Sequence, residues 1–209
     1  MTTTRDLVTA ILNKAETTDR LVVAIAGAPG SGKSTLAKRL KLEIDGISPG
    51  ISTVIPMDGF HLDNAVLDAR HLRHRKGAPE TFDCPGFEVL LKRLRSRRSE
   101  IVIPLFDRTL DLARAGASIV SPDHRILLVE GNYLLLDESP WNRLAPLFDL
   151  TIFLHVARGE LERRLVQRWL DHGHDHDAAR KRALSNDLPN AERVISRSVT
   201  ADWSLGSLS

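Results

Sequence analysis

The segment Gly27-Ala28-Pro29-Gly30-Ser31-Gly32-Lys33-Ser34 spaces two glycines, a lysine and a hydroxyl in the pattern Gly-x4-Gly-Lys-Ser. Glycines at that spacing let successive backbone N–H groups turn inward around an anion at a helix N-terminus. A lysine directly after the last glycine reaches β- and γ-phosphates, and the next hydroxyl binds Mg²⁺. Gly27, Ala28, Pro29, Gly30, Ser31, Gly32, Lys33, Ser34 and Thr35 are therefore the expected lining of a nucleotide site, with ATP and Mg²⁺ as the implied cofactors.

Two carboxylates stand at the ends of other apolar runs. Asp58 follows Ser52–Met57, and Glu130 follows Ile126–Val129. In parallel sheets ligands sit beyond the carboxyl ends of the strands, so both acids are expected in the same crevice as the glycine-rich loop. Charged groups around a phosphate do phosphoryl transfer by positioning and neutralisation. Asp58 is the candidate base for an acceptor hydroxyl, and Glu130 with Ser34 the candidate Mg²⁺ site. Arg164 and Arg168 lie one helical turn apart, so both can point at one place.

These residues need a frame to hold them. Leu7, Val8, Ile11, Leu12 and Ala15 recur at helical spacing behind a Thr3/Asp6 capping pair. Leu21–Ala26 reads as a buried strand, and a helix follows from Lys33. The next strand is Ser52–Met57, and a helix over Glu88–Arg98 has Asp83 and Pro85 at its start. Ile101–Phe106 and Ala117–Val120 read as a hairpin or small edge sheet, and Ile126–Val129 and Thr151–Val156 as central strands. Trp141–Leu147, Glu160–Leu170 and Ala178–Leu184 are expected helices, and Val199–Leu205 a last strand. Pro189 in Asn186–Asn190 reads as a helix stop and turn. Alternating strands and helices predict an α/β, three-layer α/β/α fold with a mainly parallel sheet.

Composition narrows the function. The 29 basic residues (22 Arg, 7 Lys) nearly balance 27 acidic ones, for a net charge of +2, so no polyelectrolyte partner is expected. The run Lys92–Arg98 lacks interleaved aromatics and reads as an outer helix face, not a nucleic-acid patch. The longest apolar run, Leu21–Ala28, is far short of a membrane span. Acids at Asp6 and Glu16 argue against a signal peptide, and the single Cys84 excludes an internal disulfide. Cytoplasmic location without membrane attachment is the expectation. His172-Gly173-His174-Asp175-His176 resembles a metal cluster but lacks a further ligand and reads as a solvated lid loop. Trp141, Trp169 and Trp203 read as packing residues.

Met57-Asp58-Gly59-Phe60-His61 together with Lys76-Gly77-Ala78-Pro79-Glu80-Thr81-Phe82-Asp83 resembles the phosphoribulokinase/uridine kinase family, and pantothenate kinases show similar segments. The similarity runs from about Leu21 to Arg168 and is greatest to the group known as fructose transport system kinases. It implies a P-loop NTPase fold of the nucleoside-monophosphate-kinase type, as a single kinase domain over 1–209. An acceptor-binding excursion is implied at about 59–120 and an arginine-bearing lid at about 160–180. The implied activity is transfer of the γ-phosphoryl group of ATP to a small-molecule hydroxyl, with a sugar first and a nucleoside or pantothenate as alternatives. The resemblance makes Asp58 the catalytic base beside Lys33 and Arg168. It makes His61, Lys76, Asp83, Arg108 and Glu130 substrate-side residues, and Arg164 and Arg168 the lid over ATP, and Asn186–Asn190 resembles a segment of the same group that borders the acceptor site. Phe106 stands where uridine kinases carry a tyrosine. Many relatives are dimers or larger, so a homodimer is also implied.

Two readings from other classes remain open at this stage. Asp83-Cys84-Pro85-Gly86 has the form of a GTPase switch, but it follows a polar loop, and the guanine-reading Asn-Lys-x-Asp is missing: Asn13-Lys14-Ala15-Glu16 ends in Glu and precedes the loop. A regulatory ATP-binding subunit without turnover is the other.

Overall fold

The computed structural model describes residues 3–206. Helix α1 (Thr4–Glu16) begins with a reciprocal cap: Thr3 Oγ1 accepts the Asp6 N–H and Asp6 accepts the Thr3 N–H. Leu7, Val8, Ile11 and Ala15 of the expected stripe are buried, and Leu12 is half-buried at its edge. Strand β1 (Leu21–Gly27), buried at every residue, leads through the glycine-rich loop into α2 (Lys33–Ile47). Strand β2 (Ser52–Pro56) ends in a 3₁₀ turn, Met57–Phe60, followed by α3 (Asn64–Ala69), two further 3₁₀ turns and α4 (Cys84–Leu94). A hairpin of β3 (Ile101–Asp107) and β4 (Leu112–Val120) precedes β5 (Ile126–Gly131) and β6 (Leu150–Leu154). Then come α5 (Arg158–Asp171), α6 (His176–Arg182), a π turn Ala183–Asp187, α7 (Leu188–Arg197) and β7 (Trp203–Leu205).

The main sheet has the order β2-β5-β1-β6-β7, and every neighbouring pair in it is parallel. Side chains alternate across it with the strand period of two. Val22, Ala24, Ala26, Leu127, Val129 and Phe153 face the core shared with Phe87 and Leu91 of α4. Leu21, Val23, Ile25, Ile126, Leu128 and Ile152 face the core shared with α1 and α2. Full burial of each such aliphatic side chain is worth roughly 1.5–3 kcal/mol. With both faces covered, polar chemistry is confined to the strand ends. A third cluster joins Leu161, Leu165, Ala183, Leu188 and Ala191 to Ala28, which seats α5–α7 against the glycine-rich loop.

Arg20, 3% exposed, clamps this frame at the opposite end. Its guanidinium donates to the carbonyls of His124, Leu94, Ser96 and Ser121 at 2.8–3.0 Å. It thereby fixes the C-terminal end of α4 and the β4–β5 turn with one side chain.

Four expectations need correction. Helix α4 starts at Cys84 rather than Glu88 and ends at Leu94, because Asp83 caps it and Pro85 occupies its first turn. Trp141–Leu147 is two 3₁₀ turns, with Pro140 ahead of the first and Pro146 inside the second, where a continuous α-helix would lose hydrogen bonds. The last strand is only Trp203–Leu205. Pro189 does not stop a helix: it lies in the first turn of α7, where a missing N–H is harmless, and the π turn carries the chain into it.

Candidate active site

Gly27 closes β1, and Gly32, at φ +97°, is the N-cap of the 15-residue helix α2. A left-handed residue there is what allows the loop to fold back on the helix N-terminus. Lys33 is 7% exposed and donates to Ala28 O at 2.8 Å and to Ser31 Oγ at 3.5 Å. Burial pulls its pKa down to about 8, against the pull of Glu130 and Asp58. Ser34 Oγ donates to Glu130 Oε2 at 3.1 Å. Glu130 is the next-to-last residue of β5, whose register places it opposite Ile25 of β1, just before the loop. Burial, and next the charge of Asp58, raises its pKa, while Lys33 and the Ser34 hydroxyl oppose the rise.

Together with Pro29, Gly30, Gly32 and Thr35, these residues line a cleft of about 300 Å³. The donor set comprises the first-turn backbone amides of α2, an ammonium held by neutral oxygens, and a hydroxyl–carboxylate pair. That set fits a magnesium nucleotide: the first two suit phosphates and the pair suits a hard cation.

Asp58 lies in the 3₁₀ turn after β2. The turn hugs the hairpin: a Cβ on Gly59 would come within 2.4 Å of Pro104 O, so only glycine permits the approach. The ladder between β3 and β4 is irregular at that point, between Ile103 and Leu105. Arg108, in the turn of the hairpin, donates to Asp58 Oδ2 at 3.4 Å.

A second cleft of about 110 Å³ adjoins the first, and Pro29, Asp58, Arg108, Asn132 and Arg168 line both. His61 Nδ1 lies 2.7 Å from Asp58 O, and its ring is in contact with Phe82 (centroids 4.0 Å apart) and Phe106 (4.5 Å). Burial lowers the His61 pKa against the opposing pull of Asp58. Lys76 Nζ donates to Asn64 Oδ1 and Asp111 O at 2.6 Å and pairs with Asp111 Oδ2 at 2.8 Å.

Helix α5 roofs the first cleft. A Cβ on Gly30 would touch Leu165 at 3.3 Å, which measures how closely α5 packs on the loop. Arg164 donates to Glu160 at 2.6 Å and to Gly30 O at 3.4 Å. Arg168 borders both clefts, and its guanidinium carbon lies 5.8 Å from the Trp169 ring centroid.

The structure thus brings together Lys33, Ser34, Thr35, Asp58, Arg108, Glu130, Arg164 and Arg168 around one cleft, and His61, Lys76 and Asp58 around its neighbour. Asp83 stands outside both: it is exposed and serves as N-cap of α4, accepting the Gly86 N–H at 2.9 Å. Among the described residues no group of three or more His, Cys, Asp or Glu is placed to hold a metal ion. His172 contacts Arg168 O, and His174 packs edge-on against Trp169.

Sequence reasoning missed Asn132, Asp111 and Arg182, which line the second cleft, and took Trp169 for packing, whereas Asp187 and Asn190 belong to the segment that the resemblance sets beside the acceptor and line the same cleft. Asn132 follows Glu130-Gly131 at a strand end, and that position was its available signal. Asp111 reaches the cleft from the β3–β4 turn and Arg182 from the end of α6, positions set by tertiary packing that carry no local signal.

Comparisons with known proteins agree with this geometry. The chain is 37% identical over 186 residues to the uncharacterized protein YggC of Escherichia coli, covering 88% of this chain and 76% of that one. It is 35% identical over 191 residues to a protein named "Putative uridine kinase C227.14" of Schizosaccharomyces pombe, covering 88% and 81%. A crystal structure described as a "putative fructose transport system kinase" from Silicibacter sp. TM1040 superposes with a TM-score of 0.90 at 45% identity, covering 98% of this chain and all of that one. The sequence profile of the Phosphoribulokinase / Uridine kinase family matches residues 22–203. With its phosphate loop, acidic strand ends and arginine-bearing helix in one crevice, the chain belongs to that family of P-loop kinases.

Proposed function

We propose that this chain is an ATP-dependent kinase that phosphorylates a hydroxyl of a small polyol of the sugar type. The observation that carries the reading is the position of Asp58, on the wall shared by the phosphate-side cleft and the smaller polar cleft. A base at that junction faces an acceptor on one side and a phosphate on the other.

Bound magnesium ATP supplies the phosphoryl group and part of the charge neutralisation. Gly30, Gly32 and the N-terminus of α2 offer amides to the phosphates, and Lys33 offers its ammonium. Ser34 and Glu130 are the residues to hold the cation. Asp58 accepts the proton of the attacking hydroxyl while Arg108 orients its carboxylate. Arg164 and Arg168 stabilise charge from the α5 side. His61 and Lys76 are acceptor-side contacts.

The preference for a polyol over a nucleoside rests on the aromatic groups of the smaller cleft. His61 already fills the space between Phe82 and Phe106, and Arg168 and Arg182 lie near the Trp169 ring. These rings are engaged by neighbouring side chains, and the amide, carboxylate and ammonium groups of the same cleft suit hydroxyls. The similarity to a protein described as a fructose transport system kinase supports the same choice.

ADP release from magnesium ATP, measured against D-fructose, D-ribose, glycerol, uridine and pantothenate, tests the reading. Stimulation by a polyol, with a phosphorylated product found by mass spectrometry, is the expected result. Stimulation by uridine or pantothenate alone replaces the acceptor assignment, and stimulation by none refutes the reading for this panel. Light scattering tests the homodimer.

A further inference from the structure

Two strand ends meet at the wall between the clefts. The parallel register of β2 and β5 pairs Pro56 with Glu130, so Asp58 and Asn132 each follow two places on from neighbouring strands. Gly131 permits their approach: a Cβ there would lie 2.6 Å from Met57 Cβ and 2.8 Å from its Sδ. Met57 is fully buried and directly precedes Asp58. On the other side Tyr133, also fully buried, donates to Gly77 O at 2.5 Å and packs edge-on against Phe82. Asn132 is thus mounted between two tightly packed neighbours.

Pro29, Asp58, Arg108, Asn132 and Arg168 line both clefts, and Asn132 is the one neutral polar side chain in that set. Asp58 and Arg108 are paired with each other, and Arg168 lies near the Trp169 ring. The half-buried carboxamide of Asn132 makes no hydrogen bond to any of the described residues. A firmly held side chain with two donors and an acceptor unspent suits a group that arrives with the substrates.

We propose that Asn132 is a catalytic residue, whose Nδ2 donates a hydrogen bond to the γ-phosphoryl group while that group passes from ATP to the acceptor. In that step the acceptor oxygen bonds to the γ-phosphorus as the bond from phosphorus to the departing ADP oxygen breaks, and the acceptor proton goes to the Asp58 carboxylate. The neutrality of the amide matters. An ammonium or guanidinium in its place would weaken Asp58 as a base, and a carboxylate would repel the phosphoryl oxygens. An amide donates to those oxygens and does neither. The inference rests on the proposed kinase reading and deepens it.

The test compares the full chain with Asn132→Ala and Asn132→Asp, using the acceptor from the panel above that gives the highest turnover. Because the carboxamide has no partner among the described residues, the urea midpoint of Asn132→Ala is expected to stay at the parent's. Its kcat is expected to fall about 10- to 100-fold with both KM values within about twofold, as for a contact made only during transfer. Asn132→Asp, isosteric but negative beside the phosphate, is expected to fall about tenfold further. An unchanged kcat in Asn132→Ala, a loss confined to either KM, or an Asn132→Asp enzyme as active as Asn132→Ala overturns the assignment.

If no panel member stimulates the parent enzyme, the kinase reading fails separately and the contact is read without an acceptor. Magnesium ADP with aluminium fluoride mimics the phosphoryl group in transfer, and calorimetry gives its affinity. Asn132→Ala is expected to bind magnesium ADP as the parent does and to lose about tenfold of the added affinity that the fluoride confers. An added affinity that is equal in the two proteins, or absent from both, overturns the assignment.

Discussion

Lys33 gives the site a pH signature of known sign. Its ammonium is buried and bonded to a carbonyl and a hydroxyl, and its pKa falls from 10.5 to about 8 for that reason. Because the folded pKa lies below the unfolded one, the unfolded chain holds a proton between pH 8 and 10.5 that the folded chain has released. The group therefore destabilises the empty protein below pH 8, and stability rises with pH across that window by about 3 kcal/mol. Phosphates reverse the balance, since they favour the charged amine. Above pH 8 nucleotide binding must take up a proton, and affinity for magnesium ATP falls about tenfold per pH unit until the pKa in the complex is reached. Isothermal titration calorimetry between pH 7.5 and 9.5, in two buffers of different ionisation enthalpy, reads both the affinity and the proton uptake. Lys33→Arg, which does not titrate in this range, is expected to flatten the slope. A parent protein with constant affinity and no proton uptake from pH 8 to 9.5 would refute the reasoning.

Three further predictions concern the frame and the metal. Gly59→Ala places a methyl 2.4 Å from Pro104 O, where backbone rather than a flexible side chain must yield; a loss of about 1–3 kcal/mol in urea denaturation and a lower kcat from displaced Arg108 are expected. Arg20→Met keeps an apolar stem but removes the donors to four carbonyls; the urea midpoint is expected to fall by the equivalent of about 2–4 kcal/mol at unchanged m, with magnesium ATP affinity preserved. Glu130→Gln removes the charge from the Ser34–Glu130 pair; the Mg²⁺ concentration for half-maximal ADP release is expected to rise about tenfold or more, whereas an unchanged value would place the cation elsewhere.

The nucleotide side of this site is written locally in the chain, and that is why it was legible. Eight consecutive residues make the loop, and Asp58 and Glu130 each follow an apolar run at the end of a strand. The doubly covered sheet was equally readable, because β1 and β5 are apolar on both faces. The acceptor side was not, because it is assembled from distant parts: Lys76 meets Asp111 across the hairpin, and Asn186 meets Lys76 across 110 positions. Asp83 shows the ambiguity of an acid beside a helix start, where capping satisfies it without any ligand. Pro189 shows the same for proline, which marks a boundary in sequence but not which side of it the helix lies on.

The central claim is that Asp58 takes the acceptor proton at the junction of the two clefts. The most direct test compares Asp58→Asn with the parent for magnesium ATP affinity by calorimetry and for acceptor-stimulated ADP release. The account predicts nucleotide affinity within about twofold and turnover lower by about 10²–10⁴. Full turnover in Asp58→Asn would contradict it.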